Sequence, residues 1–293
     1  MWRDLVNFVR ISRPLNVLIS LLAFALSCFL AQGGSLRFLG DGPFWGTALT
    51  IALIAATGYW INDVYDFRID RINRPGRTIV NALLSVKKVL TVYFIVVGGT
   101  LIFSLYYLGY RHQQYHISFI NVTSVLLLFW YASHLKRVSV VGNLMVSFLS
   151  ALVLFLALYL YPSGHLAPIW AVVFAFEITL IREITKDVED IQGDLAFQLR
   201  TLPIQIGITN TRRILAPLYV LFILSCWLPA VVHYGRFGSW KTAYLLGSVL
   251  LVQLPAAYLL GTLRRAESQA EFHQQSRILK GLMLTGMLTL LLL

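Results

Sequence analysis

Long apolar runs constrain this chain more than any other feature. Nine of them occur, beginning with LNVLISLLAFALSCFLA and ending with ILKGLMLTGMLTLLLL. An α-helix needs about 20 apolar residues to cross a bilayer, and most of these runs are of that order. With 58% hydrophobic and 13% charged residues, the chain has too few polar groups to cover a soluble surface. We therefore predict an all-α, polytopic membrane protein of about nine transmembrane helices, forming one domain over residues 1–293.

The basic residues orient the predicted helices. The chain has 24 Lys and Arg against 13 Asp and Glu. If the N-terminus is cytoplasmic, all but four of the basic residues lie on the cytoplasmic side, the exceptions being Arg37, Arg111, Arg236 and Lys241. This asymmetry predicts a cytoplasmic N-terminus, and it explains the basic surplus better than nucleic-acid binding does.

Most of the acidic residues fall in two clusters on the predicted cytoplasmic side. The first cluster follows the second predicted helix and contains Asp63, Asp66 and Asp70. The second follows the sixth predicted helix and contains Glu183, Asp187, Glu189, Asp190 and Asp194. The clusters are four helices apart along the chain, but they share a membrane face and can meet across a bundle.

The spacing within each cluster is helical. Positions i, i+4 and i+8 predict one stripe on a helix, made of Asn62, Asp66 and Asp70. Positions i, i+3 and i+7 predict a similar stripe on a second helix, made of Asp187, Asp190 and Asp194. Two facing rows of carboxylates repel each other unless cations lie between them. Oxygen ligands without His or Cys suit Mg²⁺ that is shared with a substrate phosphate.

Basic side chains are interleaved with these stripes. Those on the same predicted face are Arg68, Arg71, Arg74, Arg77, Lys136, Arg137, Lys186 and Arg200. Carboxylates that bind metal, together with guanidinium and ammonium groups that bind phosphate oxygens, indicate a diphosphate site. The alternative is a pair of solvated acidic loops, which is the commonest role of charge on a membrane protein. The duplicated stripes and the interleaved cations favour the diphosphate site.

Three stretches resemble the motifs of a known family. NDVYDFRIDRINRP and REITKDVEDIQGD are similar to the two aspartate signatures of the UbiA superfamily of intramembrane prenyltransferases, and YASHLKR is similar to a third motif. The resemblance covers nearly the whole chain. It implies a bundle around a central cavity with cytoplasmic active-site loops, where Mg²⁺ bridges both aspartate motifs to a polyprenyl diphosphate. The isoprenoid tail would then lie in an apolar tunnel open to lipid.

The resemblance also implies roles for individual residues. The implied metal ligands are Asn62, Asp63, Asp66, Asp70, Asp187, Asp190 and Asp194. The implied diphosphate contacts are Arg71, Arg74, Arg77, Tyr131, Lys136 and Lys186. Among these, the residues expected to carry catalysis are Asp66, Asp70, Asp190, Asp194 and Lys136. No organic cofactor is needed.

The acceptor is expected to be lipophilic. ISRPLNVLIS and the second signature resemble the branch that transfers geranylgeranyl groups to geranylgeranylglyceryl phosphate in ether-lipid synthesis. Arg13 and Asn16 are the expected acceptor contacts, and Arg13 is expected to lie apart from the metal site. An aromatic or quinone-precursor acceptor is the alternative, because the chain after Arg77 reads TIVNALLS instead of the usual Pro-Ser-Gly-type turn.

A transporter or lipid scramblase is a more distant alternative. Such proteins place charge near the membrane midplane and often consist of repeated halves, and neither pattern is visible in this sequence. The polar stretch 264–277 is predicted to be a solvated connection between the last two helices, or a flap over the active site.

Overall fold

A computed structural model of the chain describes residues 2–73, 76, 78–266 and 268–293. These residues are almost entirely helical, and their only β-structure is two isolated bridges. The α-helices are α1 Trp2–Ile11, α2 Pro14–Ala31, α3 Gly42–Asn73, α4 Val86–Phe103, α5 Tyr115–Ser133, α6 Val141–Leu160, α7 Ala167–Glu189, α8 Ile191–Ala196, α9 Leu202–Ser225, α10 Leu228–Phe237, α11 Thr242–Ser248, α12 Leu254–Leu263 and α13 Gln269–Leu290. A π-helical stretch, Ser104–Arg111, continues α4, and another, Val249–Gln253, joins α11 to α12.

Seven helical segments in the described part of the chain are long and apolar enough to cross a membrane. They are Pro14–Ala31, Gly42–Asn73, Val86–Arg111, Tyr115–Ser133, Val141–Leu160, Leu202–Phe237 and Thr242–Leu263. The sixth and ninth predicted spans are α7 and α13, which have 23 and 22 residues but carry several ionisable side chains. The all-α membrane architecture is confirmed, whereas the number of nine spans stays a prediction.

Helix α3 is much longer than a bilayer span requires. Its 32 residues extend about 48 Å at 1.5 Å per residue, against about 30 Å for a hydrocarbon core. The apolar residues come first, and the polar stretch 62–73 forms the last three turns. One continuous helix therefore carries the first acidic stripe beyond its apolar part, as its spacing predicts.

The helices pack in two groups around a central space. Helix α3 packs against α2, α4 and α5, while α7 packs against α6, α9 and α13. Helix α2 joins the two groups because it contacts both α6 and α13. Polar groups also connect helices, since Asn121 Nδ2 donates to Thr50 Oγ1 at 3.1 Å and to Ser104 Oγ at 2.9 Å. In an apolar solvent such interhelical hydrogen bonds help to fix helix positions.

The second predicted stripe is not on one helix, so that prediction is wrong. Helix α7 ends at Glu189, the backbone at Asp190 has φ −92° and ψ 8°, and Asp194 lies in the short helix α8. The physical reason lies on α3. Asn73 Oδ1 accepts a hydrogen bond from the Gly193 backbone N–H at 2.7 Å, which satisfies a donor in the first turn of α8 that has no intrahelical partner.

The structure of the stretch 264–277 also differs from the solvated connection that was predicted there. Helix α13 begins at Gln269 behind a capping box, in which Ser268 N donates to Glu271 Oε2 at 2.9 Å and Glu271 N donates to Ser268 Oγ at 3.3 Å. This arrangement satisfies two backbone donors at a helix start. Residues 269–277 are therefore the first turns of the last helix, and Phe272 is fully buried among its neighbours.

Candidate active site

A cavity of about 690 Å³ lies between the two helix groups. Along α3 its lining changes from apolar Ile51 to polar Asn62, and along α7 it changes from Ala171 to Lys186. Helix α13 runs the opposite way, from polar residues near its start to apolar ones near Leu290. The cavity therefore has one polar and one apolar end, and its volume is within the usual range for a ligand site.

Asp66 is the most enclosed carboxylate of the first stripe, with 3% of its surface exposed. Its Oδ2 forms an ion pair with Lys136 Nζ and accepts a hydrogen bond from Asn62 Nδ2 at 2.7 Å. Burial by itself lowers the pKa of Lys136, but the adjacent Asp66, with Tyr131 and Asp70, more than compensates and raises that pKa above its ordinary value. Lys136 therefore favours its charged form beside the buried Asp66 side chain.

Arg13 lies directly at the first acidic cluster. Its Nη2 donates to Asp63 Oδ1 at 2.7 Å, and its guanidinium lies 4.8 Å from the centre of the Tyr59 ring. Asp63 is one of the implied metal ligands, so the expectation that Arg13 lies apart from the metal site is wrong. The backbone explains the contact, because Arg13 has φ 50° and ψ 63°, a left-handed conformation at the junction of α1 and α2. This turn directs the side chain back toward α3.

The second acidic cluster approaches the first from α7 and α8. Asp187 Oδ2 accepts a hydrogen bond from Asn143 Nδ2 at 2.8 Å, and the Asn73–Gly193 contact holds α8 against α3. Asp194 is 4% exposed, and burial raises its pKa to about 6, although the nearby Lys136 opposes this. The negative charge of Asp66 acts in the same direction as burial, so the two clusters share one electrostatic environment.

The other predicted residues differ in whether they line the cavity. Those that line the cavity are Asn16, Asp70, Tyr131 and Lys186. Asp190, partly buried, is the residue before α8. Arg71 is exposed, does not line the cavity, and lies 5.9 Å from the centre of the Phe67 ring. Arg74 and Arg77 lie outside the described residues.

The oxygen atoms of the two clusters can be examined for their fit to a metal ion. Among the described residues, no three acidic, His or Cys side chains converge as a ready metal site. Asp63 and Asp66 are compensated by Arg13 and Lys136, as described above. However, Asn62 Oδ1 is buried without a hydrogen-bond partner, next to carboxylates that supply only oxygen donors. This set of oxygen donors fits a hard divalent cation such as Mg²⁺.

Several polar cavity residues are absent from the predicted set. Lys280 Nζ donates to Asn16 Oδ1, and Arg182 and Arg277 also line the cavity. His273 Nδ1 lies 2.7 Å from Glu189 Oε1. Three of these residues belong to α13, and two of them, His273 and Arg277, precede the predicted start of the last helix at Ile278. The Ser-x-x-Glu pattern at 268–271 is a helix-start signal, and it would have extended the last helix to include them.

The fold and this cavity define a class of protein: a membrane-embedded helical bundle for an amphiphilic, multiply charged lipid, with an apolar chamber under interleaved acidic and basic groups. Comparison with known sequences specifies the class further. Residues 18–279 match the UbiA prenyltransferase family, and the chain belongs to that family. It is accordingly a prenyltransferase and an integral membrane protein.

Curated relatives and solved structures agree with this family. The digeranylgeranylglyceryl phosphate synthase of Metallosphaera sedula is 35% identical over 242 residues, covering 82% of this chain and 79% of the relative. That of Methanothermobacter thermautotrophicus is 31% identical over 285 residues, covering 95% and 92%. A structure of a UbiA homolog from Archaeoglobus fulgidus bound to GPP and Mg²⁺ shares the fold, with TM-score 0.66 and 15% identity over 97% of this chain and 99% of that one. A solved structure described as giving insights into the biosynthesis of digeranylgeranylglyceryl phosphate synthase in membranes has TM-score 0.70 and 21% identity, covering 99% of this chain and 98% of that one.

Proposed function

We propose that the protein transfers a geranylgeranyl group from its diphosphate to geranylgeranylglyceryl phosphate, in the membrane and with Mg²⁺, and that residues 1–293 act as one domain. The observation that carries the proposal is the cavity, where both acidic clusters and Lys136 border one end of an apolar chamber. The names of the two curated relatives described above, both digeranylgeranylglyceryl phosphate synthases, support this acceptor. The distribution of basic residues supports a cytoplasmic polar end.

In this proposal the polar end binds the donor diphosphate. Lys136, Tyr131 and Lys186 hold its oxygens. Arg71, Arg74 and Arg77 are proposed to add positive charge near the entrance. The metal ligands are proposed to be Asn62, Asp63, Asp66, Asp70, Asp187, Asp190 and Asp194. When bound, Mg²⁺ would neutralise charge on the diphosphate and between the two carboxylate clusters.

The chain's own residues then promote cleavage of the allylic C–O bond. The bonding electrons leave with the diphosphate, and Lys136 is placed to stabilise this charge because it stays protonated beside Asp66. The allylic carbocation remains against the apolar walls of the cavity, which exclude water. The free hydroxyl of the acceptor attacks the cation, an ether bond forms and the hydroxyl proton is released.

Arg13 and Asn16 are proposed to contribute to the acceptor side. Both line the cavity near the start of α2, and Arg13 connects this region with Asp63 of the first acidic cluster. Arg13 is therefore proposed to hold the acidic stripe in place as well as to contact the acceptor. The sequence-based prediction gave Arg13 only the acceptor contact, and the proposal adds the contact with Asp63.

A product assay tests the function. The purified protein is incubated with geranylgeranyl diphosphate and either geranylgeranylglyceryl phosphate or a phenolic acid, and products are detected by mass. We expect a Mg²⁺-dependent ether product from the glyceryl phosphate, loss of activity in Asp66→Asn, and full activity in the control Asp4→Asn, which lies outside the cavity. Prenylation of the phenolic acid alone would exclude the proposed acceptor while leaving the enzyme class intact.

A further inference from the structure

The cavity holds basic side chains that the donor site does not use. Lys280 lines it from α13 and donates a hydrogen bond to a neutral acceptor, Asn16 Oδ1. Among the described residues, no carboxylate lies within ion-pair distance of Lys280 Nζ. A partly buried ammonium group without an anion is costly, so its position favours a negatively charged ligand.

Arg182 shows the same incomplete pairing. Its Nη1 donates to Glu183 Oε1 at 2.6 Å, but its Nε is buried without a hydrogen-bond partner. A buried donor that stays unpaired costs free energy, which a bound acceptor oxygen would recover. Arg277 lies one turn before Lys280 on α13 and also lines the cavity, with an exposed side chain. Three cations from two helices therefore border the cavity.

Side-chain contacts and chain neighbours connect Lys136 with Lys280. Lys136 pairs with Asp66, and Asp66 accepts from Asn62. Asp63, the next residue, pairs with Arg13, and three residues later Asn16 accepts from Lys280. Lys136 thus has a carboxylate partner, Asp66, whereas Lys280 donates to the neutral Asn16, so a bound anion is needed to compensate the charge of Lys280.

We infer that Lys280, Arg182 and Arg277, with Asn16, form a second anion site in the cavity, which binds the phosphomonoester of the acceptor. This rests on the proposed function, because only a phosphorylated acceptor brings a second anion. A phosphomonoester carries a charge of about −1.5 to −2 at neutral pH. The acceptor phosphate would bind beside α13, and the donor diphosphate would bind at the acidic stripes. Lys280 and Arg182 would thereby select a phosphorylated acceptor over an uncharged one.

Kinetics and binding with a matched pair of acceptors test the site. The acceptors are geranylgeranylglyceryl phosphate and the same lipid without its phosphate. We expect Lys280→Gln to raise the KM for the phosphorylated acceptor roughly tenfold or more, the effect of losing one charge-assisted hydrogen bond. The KM for geranylgeranyl diphosphate should not change. Lys280→Arg should retain most of the affinity, and Arg277→Gln, at an exposed position, should show a smaller loss without disturbing the fold.

Equilibrium binding to the protein in zwitterionic nanodiscs, without donor or Mg²⁺, gives a second readout. The native protein should prefer the phosphorylated lipid, and Lys280→Gln should reduce this preference roughly tenfold or more. Lys87→Gln, an exposed lysine on α4, is the control and should behave as the native protein does. If the native enzyme uses the phosphorylated acceptor but Lys280→Gln and Arg277→Gln leave its KM and binding unchanged, the second anion site is refuted and the function stands. If the native enzyme prenylates only an acceptor without phosphate, both proposals are refuted.

Discussion

Gly193→Ala tests how α3 and α8 bring the two acidic clusters together. Gly193 is helical, and an alanine in a helix interior is ordinarily more stable than glycine by about 0.5–1 kcal/mol. However, a Cβ at this position would lie 2.5 Å from Asn73 Nδ2 and 2.6 Å from Asn73 Oδ1. The Asn73 side chain would have to rotate away, and it would then lose its 2.7 Å hydrogen bond from the Gly193 N–H.

The magnitude follows from these two opposing effects. A buried N–H left without an acceptor costs about 1–3 kcal/mol, which exceeds the gain in helix propensity. We expect a net destabilisation of about 1 kcal/mol in thermal unfolding in detergent. We also expect a fall in prenyl transfer, because α8 carries Asp194. In the Asn73→Ala background no side chain obstructs the new methyl group, so Gly193→Ala should become stabilising by about 0.5–1 kcal/mol.

The double-mutant cycle provides the decisive comparison, since residues in contact deviate from additivity. Gly99→Ala on α4, where an added Cβ meets no atom within 4 Å, is the control and should show the ordinary gain of an alanine. If Gly193→Ala stabilises the protein equally with and without Asn73, the contact between α3 and α8 does not hold the second cluster in place, and the reasoning is refuted.

Three further predictions concern metal, position and orientation. Chelation with EDTA should abolish transfer and added Mg²⁺ should restore it, and Asp190→Ala should remain folded but inactive; turnover under chelation would contradict metal dependence. Arg13→Ala should weaken acceptor use by about 1.5–3 kcal/mol and also change the Mg²⁺ concentration needed for half-maximal activity, because Asp63 loses its cation; an effect on the acceptor alone would show that the Asp63 contact is dispensable. A cysteine at Ser85 should react with an impermeant thiol reagent only from the cytoplasmic face, and one at Ser239 only from outside, whereas the reverse labelling would overturn the orientation.

The first stripe was predictable because its information is local. Asn62, Asp66 and Asp70 recur every four residues in a stretch without a helix breaker, and α3 continues through all of them. The second stripe failed for the opposite reason. The side chain that satisfies the start of α8 is Asn73, 120 residues away, and no spacing rule near Asp190 reveals it.

The ion pairs of the site depend on tertiary geometry in the same way. The contact between Arg13 and Asp63 requires a left-handed residue between α1 and α2, and nothing in the motif ISRPLNVLIS signals that conformation. Lys280 is absent from the predicted site for a different reason, because it lies in the last apolar run, which indicates a membrane span and not a cavity contact. Residue types and chemistry could thus be predicted, while the partner of each charge depended on how distant helices meet.

The length of α3 has an energetic consequence for a lipid substrate. Asp63 is 21 residues, or about 32 Å, from the start of the helix. The first acidic cluster therefore begins about one hydrocarbon-core thickness, roughly 30 Å, along α3. In the proposed function a bound diphosphate would therefore stay level with lipid headgroups, and its tail would stay at the depth that it had in the bilayer. Lifting a chain of twenty carbons into water would cost about 16 kcal/mol at about 0.8 kcal/mol per carbon. An enzyme whose substrates reach the cavity without leaving the bilayer avoids this extraction step.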